Sequence, residues 1–561
     1  KQALGLYCQL KAKMAKGIFS KIVRLFSSPT TTVEGAAIIL ASSILLSRIL
    51  GLVRYRLLAA EFGDQIILLD SFLAASNVPE IIFEVLIFGS ISVAFIPVFS
   101  SLLAKGEAEN AWKLAQTLVN LGLILFAILA LILILAAPKV AVLVAPGLVS
   151  QNPEISQIIG NLIRVMVFAQ IFFLLGIFAT GILQSFKNFL VPALAPAIYN
   201  LGIIFGIIAL SGPLGIFGPA WGMVVGAGAF FLVQFLVMGN LGSMFGTKLN
   251  LAQPGVSKVI SLTWPRTIGL TAARGIDLIN ISLASLLGVG SIVAFNFAQT
   301  LIAVPVGLFG ASIAQAALPT LSLQAAKKDL ENFKKTFIKS LHQIFFLTLP
   351  AISILAILRI PAIRLVFGAA NFPWETTLLA GRILIILSIA IVAQASLLLL
   401  VRTFYALHDP KTPIAAGLAS FAVNVFLAIL FVLVLRLPMT FLAAAFTFSN
   451  LFYAAILLYF LNKKVGGLNF KELSLPTAKM LTSAVVSALV VYPVFKFLDF
   501  TLDTSRTINI LILTIVAGLA GLVIYLVLNL ILGVNEARRF ANFFKSLKAP
   551  QKILTTETFK T

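Results

Sequence analysis

Runs of about twenty apolar residues, the length an α-helix needs to cross hydrocarbon, recur from residue 34 to residue 532. A backbone in lipid must satisfy its own hydrogen bonds, so each run is read as a helix. The expected spans are 34–58, 70–104, 112–137, 155–185, 189–211, 217–241, 256–288, 290–324, 334–358, 376–407, 411–436, 439–462, 475–499 and 506–532, about fourteen in all. With 60% hydrophobic residues, the chain leaves no gap large enough for a soluble domain. The fold class is therefore an all-α polytopic membrane protein. The single cysteine, Cys8, excludes an internal disulfide. No His/Cys cluster suggests a metal, and no GxxxxGK[ST] run suggests ATP. His342 and His408 sit at span ends, where an interfacial role is expected.

A net charge of +22 invites a nucleic-acid reading, but its placement argues otherwise. With the N-terminus inside, 27 of the 41 Lys and Arg fall on the inner side and 6 on the outer. That asymmetry is the positive-inside pattern, with both termini cytoplasmic. Residues 1–33 read as a basic amphipathic segment lying on an anionic leaflet, and 534–561 as a basic tail.

The chain also repeats. SISVAFIPVFSSLLAK (90–105) resembles SIAQAALPTLSLQAAK (312–327) at an offset of 222, and QSFKNFLVP (184–192) aligns with YALHDPKTP (405–413) at 221. An offset covering an even number of spans makes the repeat parallel. The expected organisation is a first six-helix lobe at 34–241, a second at 242–462, and two additional helices at 463–533.

The charges inside spans mark the candidate site. The stretch Ser47–Pro97 carries Arg48, Arg54, Arg56, Asp70, Glu80 and Glu84. A charge at bilayer depth is costly and normally faces protein or a hydrated path. Guanidinium forks beside an embedded acid suit phosphate or carboxylate. Arg56 either joins that site or ends the first span and snorkels. Farther on, Arg274 and Asp277 are three apart, share a helix face and can pair. The pair is structural, or Asp277 helps bind a coupling cation.

With these landmarks the chain resembles the MurJ (MviN) family of lipid II flippases. The resemblance rests on SRILGLVRYRLLAAEFG, DSFLAASNVPEIIFEVLIFGSISVAFIPVFS, VLVAPGL, GILQSFKNFLVPALAPAIYN, GPAWGMVVGAGAFFLVQ, PVGLFGASIAQAALPTLS and RTFYALHDPKTP, in family order over about 50–450. It implies two six-helix lobes, two C-terminal helices, a cationic cavity for the diphosphate head group, and a groove for the polyprenyl tail. Matched residue by residue, Arg48, Arg54 and Asp70 fall on cavity positions, with Ser47 beside them. The chain departs from the family at Phe83, where the family usually carries an arginine, at Gln299-Thr300, where it usually reads Asp-Arg, and at Ala303, where it carries an acid. Arg274 is then a candidate source of the missing positive charge.

The expected function is translocation of lipid II between leaflets of a bacterial cytoplasmic membrane by alternating access. No enzyme chemistry and no cofactor are expected, beyond a coupling cation such as Na+ or H+. Partners are the lipid-linked cell-wall precursor and membrane lipids, not nucleic acid. The rival readings are a flippase for another polyprenyl-linked glycan, a cation-coupled drug exporter of the same superfamily, and a non-transporting scaffold.

Overall fold

The computed structural model describes residues 33–83, 95–239, 241–246, 249–253, 255–369 and 371–547. The basic segment expected before residue 33, and Glu84, lie outside these. Helices stand at the expected spans, with residues 84–94 of the span 70–104 outside the described residues. They are α1 (Val33–Phe62), α2 (Ile66–Phe83), α3 (Ile96–Ala104), α4 (Ala108–Val144), α5 (Glu154–Ser185), α6 (Leu190–Phe205), α7 (Phe217–Met238) and α8 (Val256–Ser285). Then follow α9 (Ser291–Pro305), α10 (Ser312–Ala326), α11 (Leu330–Ile357), α12 (Trp374–Ala406), α13 (Lys411–Ile429), α14 (Met439–Lys464), α15 (Phe470–Thr501), α16 (Thr507–Ile531) and α17 (Asn535–Leu547). Among the described residues, 11 helical segments are long and apolar enough to cross a membrane. Large apolar side chains point away from the protein along them; Leu135 and Ile531 are each 74% exposed. In water that surface would be a liability, and in lipid it is the solvated face.

By packing, the chain divides into residues 1–293 with 366–373, and 294–365 with 374–561. Thus α8, which the repeat assigns to the second half, packs with the first unit. It is tied there by Ser282 Oγ donating to the Leu143 carbonyl (2.9 Å) and by Gly147 N donating to Ser285 Oγ (3.0 Å).

The first unit relies on close backbone approach. A Cβ on Gly202 of α6 would lie 2.1 Å from the Gly226 Cα of α7, and one on Gly206 would lie 2.5 Å from the Gly222 Cα. Lipid gives no hydrophobic reward for helix association, so such small-residue contact supplies the dispersion energy instead. Gly202→Leu is expected to destabilise the unit by about 1–3 kcal/mol or more, as overpacking does. Gly212→Ala, where an added Cβ meets nothing within 4 Å, should be near neutral. Thermal unfolding of the two variants in detergent checks this.

In the second unit, Phe333, Phe337, Leu399, Phe404 and Leu457 form one core between α10, α11, α12 and α14. The last two spans pack on α11. Ser353 Oγ donates to the Ala484 carbonyl (2.8 Å), and Leu358, Val491 and Leu513 share a buried cluster. Part of the expected C-terminal tail is the helix α17, whose Phe540 packs on Phe346 (6.1 Å between ring centroids).

The internal repeat is written in the backbone. Left-handed φ values occur at Gly106 (79°) and Lys328 (57°), at Lys187 (61°) and His408 (54°), and at Gly215 (54°) and Arg436 (52°). Members of each pair are 222, 221 and 221 residues apart. After α3 and α10 the hydrogen bonds match as well. Gly106 N bonds Leu103 O and Glu107 N bonds Leu102 O; Lys328 N bonds Ala325 O and Asp329 N bonds Gln324 O. This is the Schellman closure, which needs one left-handed residue and usually takes glycine there. Lysine and histidine hold that conformation at a steric cost, so the turn geometry is kept even where the side chain changed.

The second of these turns is pinned across the sequence. Asp409 accepts from Thr412 N (3.1 Å) and from Lys464 Nζ (2.5 Å). Partial burial works against its charge, but the Lys464 and Thr412 bonds outweigh this and hold its carboxyl at about 2. A lowered value means stability gained above the unfolded-state pKa and lost only as pH falls through about 2. Asp409→Asn should therefore lower stability by the same small amount throughout about pH 5–9, roughly 1 kcal/mol or less for a pair at the protein surface, as thermal melts across that range would show.

Candidate functional site

Four helices of the first unit surround a cavity of ≈ 80 Å³ lined by Arg54 and Tyr55 of α1, Ser76 and Glu80 of α2, Tyr199 of α6 and Met223 of α7. That is room for a handful of waters or one small anionic group, not for a sugar. Helical spacing brings the two α2 groups together, since residues four apart lie on one face. The Arg54 guanidinium carbon lies 4.5 Å from the centroid of the Tyr55 ring, a cation–π contact. Its Nε is buried with no hydrogen-bond partner. A desolvated guanidinium with an unused donor is a strong attractor for an anion or an ordered water. Glu80 sets a limit on that attraction by placing opposite charge on the same cavity.

The remaining expected residues are distributed differently. Arg48 is exposed on α1. Ser47 meets Asn200 of α6, whose Nδ2 lies 3.3 Å from both the Ser47 carbonyl and Oγ. Asp70 does not line the cavity. It is fully buried and accepts from Gly290 N (2.5 Å) and Val293 N (2.8 Å) at the start of α9. A carboxylate at a helix N-terminus satisfies otherwise orphaned donors and meets the positive end of the dipole. Asp70 thus binds backbone donors at the start of α9. Arg274 and Asp277 do pair, at 3.2 Å, on α8 with both side chains partly exposed. Neither lines the cavity.

Position 83 explains one departure from the family pattern. Phe83 is buried and packs on Phe173 of α5 (5.8 Å). Phe173 in turn packs on Tyr199 (4.7 Å) and Phe230 (5.3 Å). An aromatic cluster therefore backs Tyr199 where a cation was expected. Thr300 donates its hydroxyl to the Asn296 carbonyl of its own helix (2.8 Å).

Tyr55, Ser76 and Tyr199 were not singled out from sequence, and Glu80 was noted only as one of the charges in the stretch Ser47–Pro97. For Ser76 and Glu80 a signal existed: with Leu73 they form one helical stripe. For Tyr199 there was none, because its cavity partners on α1 and α2 lie more than a hundred residues away. Among the described residues no three His, Cys, Asp or Glu side chains gather as metal ligands.

Comparison with known proteins points one way. A family model described as "Lipid II flippase MurJ" matches residues 58–513. The lipid II flippase MurJ of Burkholderia cenocepacia is 28% identical over 376 residues, covering 66% of this chain and 72% of the relative. A solved structure titled "Lipid II flippase MurJ, inward closed conformation" superposes with a TM-score of 0.73 at 23% identity, covering 88% of this chain and 98% of the other. A MATE-family multidrug resistance transporter of the MOP superfamily shares the fold at a TM-score of 0.64 and 12% identity, covering 77% and 98%.

Proposed function

This chain belongs to the MurJ family, and on that premise we propose that it moves lipid II from the inner to the outer leaflet of a bacterial cytoplasmic membrane. The observation that carries this reading is the family match, which extends from α1 to α16. The physical need is plain. A diphosphate head cannot cross hydrocarbon unaided, for the reason charged side chains cannot. A protein that offers it a polar path while the tail stays in lipid removes that barrier without covalent chemistry.

In this reading Arg54 is the principal contact for the diphosphate, in a seat whose depth admits a phosphate and not the sugar. Arg48, exposed one to two turns away on α1, meets the anion first. Arg274 supplies the second-half cation, and Asp277 tempers it or receives a coupling cation such as Na+ or H+. Both termini lie on the cytoplasmic side, a placement supported by the Lys and Arg distribution. Arg274→Ala is expected to reduce transport about tenfold, the effect of one charge-assisted contact, while Arg274→Lys retains most of it. Transport in vesicles with inserted protein measured alongside checks this, and an unchanged rate removes Arg274 from the path.

A second reading is favoured by one observation: Phe83 is a packed core residue, so the seat has fewer cations than the family pattern. A flippase for another polyprenyl-linked glycan would tolerate that. Native mass spectrometry of the purified protein decides between them. Preferential retention of lipid II over a polyprenyl-diphosphate glycan without a peptide supports lipid II. Equal retention, or preference for the plain glycan, moves the assignment to the second reading.

A further inference from the structure

The second unit contains a different basic cavity, at the ends of its last helices. It measures ≈ 340 Å³ and is lined by Lys335 and Lys339 of α11, Lys479 of α15 and Arg539 of α17. The two lysines of α11 are four apart and share one face. Among the described residues, no carboxylate lies within ion-pair distance of Lys335, Lys339 or Arg539. Like charges gathered this closely repel one another, and an arrangement that keeps them together with fewer acids than cations is built for an anion. The N-terminus of α17 opens onto the same space through Gly533, Val534 and Asn535, adding backbone donors and the positive helix end.

Two acids, Glu472 and Glu536, also line it. Glu536 is only 8% exposed at its side chain and lies 3.9 Å from Nδ1 of the buried His342. His342 is itself fixed by Nε2 against the Leu473 carbonyl (3.2 Å). This inner pair belongs to the floor, and four cations against two acids leave the cavity net positive. Lys479 is held by the Leu532 carbonyl (2.9 Å), which fixes one cation without neutralising it.

The setting identifies the source of the anion. The helix α17 leaves Arg538 and Arg539 exposed and packs Ala537 and Phe540, with Val534 just before it, against Phe346, Met480 and Tyr525. An amphipathic helix docked on spanning helices lies at the membrane surface. Basic pockets between such helices take phospholipid head groups. We propose that this cavity binds the head-group phosphate of an anionic membrane phospholipid. The site is separate from the Arg54 seat and does not depend on which lipid-linked precursor the protein carries.

The experiment uses the full chain in nanodiscs of phosphatidylglycerol or phosphatidylcholine, with bound lipid counted by native mass spectrometry after extraction. The intact protein is expected to retain phosphatidylglycerol over phosphatidylcholine. The variant Lys335→Ala/Lys339→Ala/Arg539→Ala should lose that preference at least about tenfold, while Lys463→Ala, elsewhere on the same unit, should keep it. All four positions are exposed, so folding should survive; a circular dichroism melt confirms it, and Lys339→Glu alone provides a second test by charge reversal. Equal retention of both lipids by the intact protein overturns the proposal, as does an unchanged preference in both the triple variant and Lys339→Glu. Displacement of the lipid by millimolar inorganic phosphate would assign the cavity to a free anion and would also overturn it.

Discussion

Arg54→Ala is expected to weaken lipid II binding about 10- to 150-fold, the range for losing a hydrogen bond to a charged group, while the protein still folds. Arg54 has a buried, unpartnered Nε and a ring contact with Tyr55, so the native protein already pays for desolvating this cation. Replacing it by alanine removes that cost as well as the contact, so stability should change little. Glu80 loses its nearest counter-charge on the cavity and then repels an incoming diphosphate, which adds to the loss. Arg54→Lys keeps the charge but not the planar fork, and should recover only part of the affinity. A double variant, Arg54→Ala with Glu80→Gln, should bind better than Arg54→Ala alone. Binding isotherms of the four proteins check each step, and equal affinity in all of them removes the seat from the mechanism.

Asp70→Ala is expected to behave in the opposite way: a large loss of stability, with ligand affinity unchanged in whatever protein remains folded. Two backbone donors, Gly290 N and Val293 N, would lose their acceptor inside a fully buried site. Each unsatisfied donor costs about 1–3 kcal/mol, so the sum is a large share of the roughly 5–15 kcal/mol that holds a typical domain folded. Asp70→Asn retains one good acceptor and should fall between. Were Asp70 instead a substrate-orienting residue, Asp70→Asn would melt like the parent and lose affinity. Thermal unfolding and lipid binding measured on the same samples separate the two.

The contrast between these residues shows what the sequence could carry. Span positions were legible because apolar runs and the Lys/Arg bias each act over many residues and reinforce one another. The repeat was legible from two short matches, and the paired left-handed turns at Lys187 and His408 give it a conformational basis. The Arg274–Asp277 pair was readable because a helix brings residues three apart together whatever else happens. Asp70 was not. An acid within a span looks the same whether it faces an arginine or a helix end, and the donors lie 220 residues farther along. Phe83 posed the same problem. Its meaning as a packed ring depends on Phe173 and Tyr199, which are distant in the chain and adjacent only in the fold.

The most direct test of the central claim is transport itself. A bacterium whose own lipid II flippase can be switched off is supplied with this chain, and newly made lipid II is challenged with an enzyme outside the cell that cleaves only exposed precursor. The account predicts that cleavage fails on depletion, returns with the intact chain, and does not return with a membrane-inserted Arg54→Ala variant. Failure of the intact, inserted chain to restore cleavage would contradict it.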